Sequence, residues 1–139
     1  MGKNTINIAL LILRIGFAFS VAYAHGYGKI TGGPAKWEKL GGSMEDMGIS
    51  FAPVFWGFMA AFAEFFGAIM IGVGFCTRLG AFLLGFTMLV AFYAHMSGGD
   101  GFGDASHSFD LMMVSIFFLI MGAGKFSLDN KIKISKWLQ

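Results

Sequence analysis

The chain has 139 residues, of which 56% are hydrophobic and only 13% are charged. A soluble domain of this length leaves much of its surface in water and needs many more polar side chains to cover it. The formal net charge of +2 is too small, and the basic residues are too dispersed, to suggest a nucleic-acid-binding surface. The composition therefore indicates an integral membrane protein in contact with the lipid bilayer.

Four apolar runs predict membrane-spanning helices, since a bilayer core of about 30 Å needs about 20 apolar residues. They cover residues 5–24, 51–75, 79–95 and 108–123. None alternates apolar and polar residues at period two, as a membrane barrel would require. Arg14, inside the first run, argues against a cleaved secretory signal. We predict an all-α fold: an integral membrane four-helix bundle that forms a single domain over residues 1–139.

The connections predict how the bundle lies in the membrane. Residues 25–50 form an outer loop with turn residues and a short amphipathic helix, residues 97–107 form a glycine- and aspartate-rich outer loop, and residues 124–139 form a tail. Six cations lie on one side: Lys3, Arg78, Lys125, Lys131, Lys133 and Lys136. Only Lys29, Lys36 and Lys39 lie on the other. The positive-inside rule then places both termini in the cytoplasm of a multi-pass inner (cytoplasmic) membrane protein.

Two charged residues fall near the middle of predicted spans, Arg14 in the first and Glu64 in the second. A charge at mid-bilayer costs at least about 2.5 to 3.5 kcal/mol, so such residues usually face the bundle interior and pair. The two spans run antiparallel, and we predict an ion pair between Arg14 and Glu64. Two roles stay open for it, a structural clamp or a proton relay with a catalytic function.

A second group of polar residues falls at the outer ends of the predicted spans: His25, His95, His107 and Asp110. We expect a polar cluster near the outer surface. Three uses are open: hydrogen bonding to loop carbonyls or water, hydrogen bonding and proton exchange with a quinone head group, or ligation of a metal or haem. No close ligand spacing such as His-x-x-x-His occurs, so no metal site is assigned and haem is favoured less than quinone.

Several short motifs together resemble the DoxX family. They are Leu13-Arg14, His25-Gly26 followed by Lys29, Glu64 in a glycine-rich second span that ends in Gly74-Phe-Cys-Thr-Arg78, and the closing Gly124-Lys-Phe-Ser-Leu-Asp129. The resemblance implies a small four-helix membrane protein related to subunits of quinol oxidases or thiosulfate:quinone oxidoreductases. Asp110 departs from the family pattern, because a glutamate would be expected there.

Three functions remain open from the sequence. The first is a membrane subunit of a quinone-linked respiratory complex, in which the polar residues line a site or a proton path. Electrons would come from partner subunits, because the chain has no nucleotide-binding glycine motif and its single cysteine, Cys76, can neither form a redox pair nor hold a cluster. The second is a non-catalytic accessory subunit that packs against a larger respiratory or transport complex. A small transporter or channel ranks last, because no inverted repeat is evident.

Overall fold

The computed structural model describes residues 2–132, apart from the Lys3 side chain. These residues are almost entirely helical, and no strand occurs among them. Four helices are long and apolar enough to cross a membrane: Asn4–Ile30, Pro53–Val73, Thr77–Ser97 and Gly101–Met121. We refer to them as the first to fourth spans. The prediction of an all-α bundle with four spans is confirmed.

The first span is longer than predicted. An α-helix over Lys3–Val21 continues through a π-helical turn, Ala22–Gly26, into a last turn over Tyr27–Ile30. The predicted outer loop from residue 25 therefore begins six residues too early. The helix continues because the polar side chains in this stretch, His25 and Lys29, find partners on neighbouring spans.

The second span has the same construction. Pro53 lies in its first turn, where a missing N–H costs no helical hydrogen bond. The α-helix Pro53–Phe62 passes through a π-helical turn, Ala63–Gly67, into Ala68–Val73. A tight link follows, in which Gly74 adopts a left-handed conformation with φ 69° before the third span begins at Thr77.

A short helix, Gly33–Gly41, and a 3₁₀ helix, Gly42–Met47, connect the first two spans. The short helix packs directly on the second span, because Gly41 faces the backbone of Pro53 and Gly57 faces the backbone of Trp37. A side chain at either glycine would collide with main-chain atoms of the other helix. The predicted amphipathic helix is thus part of the bundle wall.

The fourth span begins at Gly101 instead of residue 108, so most of the predicted glycine- and aspartate-rich loop is helical. Asp104 lies in its first turn, where a carboxylate interacts favourably with the helix dipole. After Met121 the chain forms an irregular segment and a last helix, Leu128–Ile132. Lys133 and Lys136 of the predicted tail lie outside the described residues.

The buried core is thin, and its main cluster of apolar side chains contains Leu10, Phe17, Val21, Ala68, Ile71, Ala81, Leu84, Met88 and Phe118. Large apolar side chains also cover the outside, and Ile12, Phe19 and Ile120 are 67%, 69% and 69% exposed. Such a surface is stable only in lipid. The fold is that of a multi-pass membrane protein.

Candidate functional site

The two π-helical turns lie against each other. A Cβ atom added to Gly26, at the end of the first π turn, would lie 2.7 Å from the carbonyl carbon and oxygen of Glu64 in the second. Only glycine permits this backbone contact. A π turn contains one extra residue, which rotates the side chains that follow by about 100° about the helix axis. Such turns occur often at functional sites.

Lys29 and Glu64 form a buried ion pair at this contact. The Lys29 ammonium donates to both carboxylate oxygens of Glu64, over Nζ–Oε1 and Nζ–Oε2 distances of 2.6 and 2.7 Å. The Glu64 side chain is 3% exposed and that of Lys29 is 27% exposed. Pairing and two charge-assisted hydrogen bonds offset the cost of removing the carboxylate from water.

The predicted ion pair between Arg14 and Glu64 is wrong. Gly26 lies beside Glu64, and Ala18 lies beside Gly72. Both contacts give the same antiparallel alignment of the first and second spans. Arg14 is twelve residues before Gly26, which is about 18 Å along the helix. The first span extends six residues beyond its predicted end, so the position of Arg14 within the apolar run does not give its depth relative to Glu64.

Arg14 belongs instead to a second polar cluster, at the end of the bundle that carries the N-terminus. Its Nη2 donates to the carbonyl oxygen of Phe126 at 2.5 Å, and the Asp129 carboxylate lies within electrostatic range. Asp129 accepts hydrogen bonds from the backbone N–H groups of Cys76 and Thr77 at 2.7 and 3.0 Å and from the Thr77 hydroxyl at 2.8 Å. This cluster fixes the segment after the fourth span against the link between the second and third spans.

A cavity of about 310 Å³ adjoins the Lys29–Glu64 pair, between the second and third spans and beneath the 3₁₀ helix. Its walls are mainly apolar, with Met44, Phe55, Met59, Leu83, Phe86 and Val90 among the lining residues. Trp56 also lines it, and its buried indole N–H has no hydrogen-bond partner. Neither Lys29 nor Trp56 is among the site residues that the sequence predicts. The predicted first span ends before Lys29, which therefore falls in a loop, and a tryptophan near a span end usually belongs to the interfacial belt.

The predicted cluster of three histidines and Asp110 forms only in part. Nε2 of His25 lies 3.1 Å from Nε2 of His107. His95 is held elsewhere, with its Nδ1 2.8 Å from Oδ2 of Asp100, and Asp110 is exposed. Within residues 2–132, no three His, Cys, Asp or Glu side chains come together as a metal site. Two axial haem nitrogens would lie about 4 Å apart, given metal–nitrogen bonds of about 2.0 Å, so the histidine pair does not fit a haem.

Four apolar spans, a thin core and a buried ion pair beside an apolar cavity define a helical membrane protein with a polar site inside its spans. The model of the DoxX family matches residues 9–96. The chain is also 33% identical to the inner membrane protein YqjF of Escherichia coli (strain K12) over 138 residues, which cover 97% of this chain and 99% of that protein. The chain belongs to the DoxX family. No solved structure matches it.

Proposed function

We propose that the protein is a membrane subunit of a quinone-linked respiratory or oxidoreductase complex, and that the cavity beside Lys29 and Glu64 receives the quinone head group. One observation carries this proposal. A buried ion pair and the side chain of Trp56, whose indole N–H has no hydrogen-bond partner, both belong to the wall of an apolar cavity within the membrane spans.

The chemistry of the cavity suits a quinone. Its volume of about 310 Å³ is at the small end of the range for ligand pockets, as a single substituted ring requires. A quinone is apolar except for two carbonyl oxygens, each of which needs a hydrogen-bond donor when it leaves water. Lys29 and Trp56 both line this cavity, and each side chain carries N–H donors. A quinone reaches the cavity from the lipid in which it is dissolved.

Glu64 supplies the proton exchange that quinone chemistry requires. Oxidation of a hydroquinone releases two electrons and two protons. In the proposed step the reaction runs in the reverse direction, as reduction of the quinone: two electrons come from a redox cofactor of a partner chain, because one cysteine cannot hold an iron–sulfur cluster in this chain. One proton passes from water through the Glu64 carboxyl group to one quinone oxygen, a second proton from water reaches the other oxygen, and Lys29 holds the carboxylate in place.

The second candidate is an accessory subunit without a redox role. The cluster of Arg14 and Asp129 favours it, because there buried polar groups hold elements of the fold together. In this alternative the Lys29–Glu64 ion pair only holds the first and second spans together. Glu64→Gln would then reduce assembly of the complex, while complexes that still assemble would keep normal turnover. Lost turnover with intact assembly would exclude the accessory role.

Quinone binding can be tested directly on the purified protein in mild detergent. A short-chain quinone should quench tryptophan fluorescence to saturation, and Trp56→Phe should remove most of the quenching. Ala91→Leu adds three carbons to a residue that lines the cavity and should weaken binding at least tenfold. Ala9→Leu makes the same change on the exposed face of the first span and serves as the matched control. Equal quenching in the two leucine variants would reject the site.

A further inference from the structure

We propose that His25 and His107 form a binding site for a divalent metal ion of the zinc and copper class, at the end of the bundle opposite the N-terminus. The two Nε2 atoms face each other across 3.1 Å, one from the first span and one from the fourth. This site goes beyond the proposed function and does not depend on it.

The distance between the two nitrogens suits a shared metal ion. Zinc binds histidine nitrogen at about 2.0 to 2.1 Å, and two such bonds to nitrogens 3.1 Å apart enclose an angle of about 100°, near the tetrahedral value. The histidines need no large movement to accept the ion. His107 is exposed and His25 is half-buried, so water reaches the site and can fill the remaining coordination positions.

The charges around the pair favour a cation. Asp104 and Asp110 lie one helical turn before and after His107 on the fourth span. Residues 79–124 contain three aspartates and no lysine or arginine. Lys29, one turn from His25, has its charge balanced by Glu64. The negative charge of this part of the fourth span attracts cations to its surface.

A bound ion would join the first and fourth spans directly at the π-helical turn that contacts Glu64. The alternative is a simple hydrogen bond between one neutral imidazole as donor and the other as acceptor. The two accounts differ in what zinc does. Only a metal site binds zinc stoichiometrically and loses affinity when either histidine is replaced.

The test is calorimetric titration of the full chain with Zn²⁺ in detergent, after purification with a histidine-free tag. We expect one equivalent to bind, and His25→Gln and His107→Gln each to weaken binding at least tenfold. His95→Gln, which changes the histidine held by Asp100, is the matched control and should bind as the unaltered protein does. Absence of saturable binding, or equal binding in all three variants, would overturn the proposal.

If gel filtration shows that the histidine variants do not fold, a second measurement tests the site without them. X-ray absorption of the unaltered protein with one equivalent of zinc should show two imidazole nitrogens at about 2.0 to 2.1 Å together with oxygen ligands. A shell made of oxygen alone would overturn the proposal without any variant.

Discussion

Glu64 is 2% exposed inside a membrane span, and within residues 2–132 its ion-pair partner is Lys29, from the last turn of the first span. A carboxylate buried in this way is tolerable when its partner and its hydrogen bonds are both present. The Lys29 side chain supplies both, with two hydrogen bonds below 3 Å. The stability of this region therefore depends on the pair as a unit.

Lys29→Met tests that dependence. Breaking a buried pair typically costs about 3 to 5 kcal/mol, and we expect the lower end because Lys29 retains 27% exposure. The double variant Lys29→Met/Glu64→Gln should recover much of the loss, since no charge is then left without a partner. Unfolding in mixed micelles with increasing denaturing detergent measures the difference. Lys36→Met, at an exposed lysine that donates to the Gly28 carbonyl, should cost less than about 1 kcal/mol.

Cys76 lies in the link between the second and third spans, and the pH dependence of its alkylation measures the effect of the Asp129 charge. Burial, and then the negative charge of Asp129, raise the pKa of the Cys76 thiol above its ordinary value. Because the thiolate is the reactive form, alkylation should reach half its maximal rate at a higher pH than for a free cysteine. Asp129→Asn should shift this profile to lower pH, which a pH series of iodoacetamide labelling would show. A profile that Asp129→Asn leaves in place would contradict the electrostatic contribution.

At the scale of helices, the site depends on how closely two spans approach. Gly26 brings the π turn of the first span onto the backbone of Glu64, and Gly67 and Gly80 bring the second and third spans together. In membranes, such small residues stabilise helix contacts because they allow dense packing where the hydrophobic effect between helices is absent. The position of Lys29 beside Glu64 follows from this approach.

Gly26→Ala and Gly16→Ala form a matched pair in the same span. The new methyl group at residue 26 would meet the Glu64 backbone at 2.7 Å, whereas residue 16 has nothing within 4 Å. We expect Gly26→Ala to destabilise the protein by about 1 to 3 kcal/mol, as overpacking does, and to weaken the Lys29–Glu64 pair. Gly16→Ala should be neutral or slightly stabilising, because alanine favours the helix. Thermal unfolding in one detergent compares them, and equal effects would contradict the close approach.

For the molecule as a whole, the arrangement of cations predicts its orientation. Lys125 and Asn7 are in contact, which places the start of the first span and the end of the fourth at one end of the bundle. The excess of lysine and arginine at that end predicts that it faces the cytoplasm. The histidine pair and the Lys29–Glu64 pair then lie toward the outer side of the membrane.

A C-terminal fusion to a fluorescent protein that matures only in the cytoplasm should therefore be bright. In a Cys76→Ser background, Ser97→Cys places a thiol at the end of the third span, and an impermeant maleimide added outside intact cells should label it. A dark fusion together with an unlabelled position 97 would show that the protein has the opposite orientation.

The sequence by itself determined the class of protein and the number of spans. Four apolar runs are each near the length that crosses a bilayer core. In lipid such a run is stable as a helix, because its backbone N–H and C=O groups must form their hydrogen bonds within the segment. It also indicated that Glu64 needs a partner and that His25 and His107 share one end of the bundle. These conclusions depend on composition and chain order, which a linear sequence contains.

Only the tertiary structure decided which residues meet. The partner of Glu64 is Lys29 and not Arg14, because the first span continues through a π turn to Ile30 and is offset along the second span. Trp56 contributes to the cavity because the short helix Gly33–Gly41 and the 3₁₀ helix beside it cover the second span. The offset between neighbouring helices is set by contacts such as that of Gly26 with the Glu64 backbone, and packing of this kind between distant segments is not encoded in the hydropathy of either one.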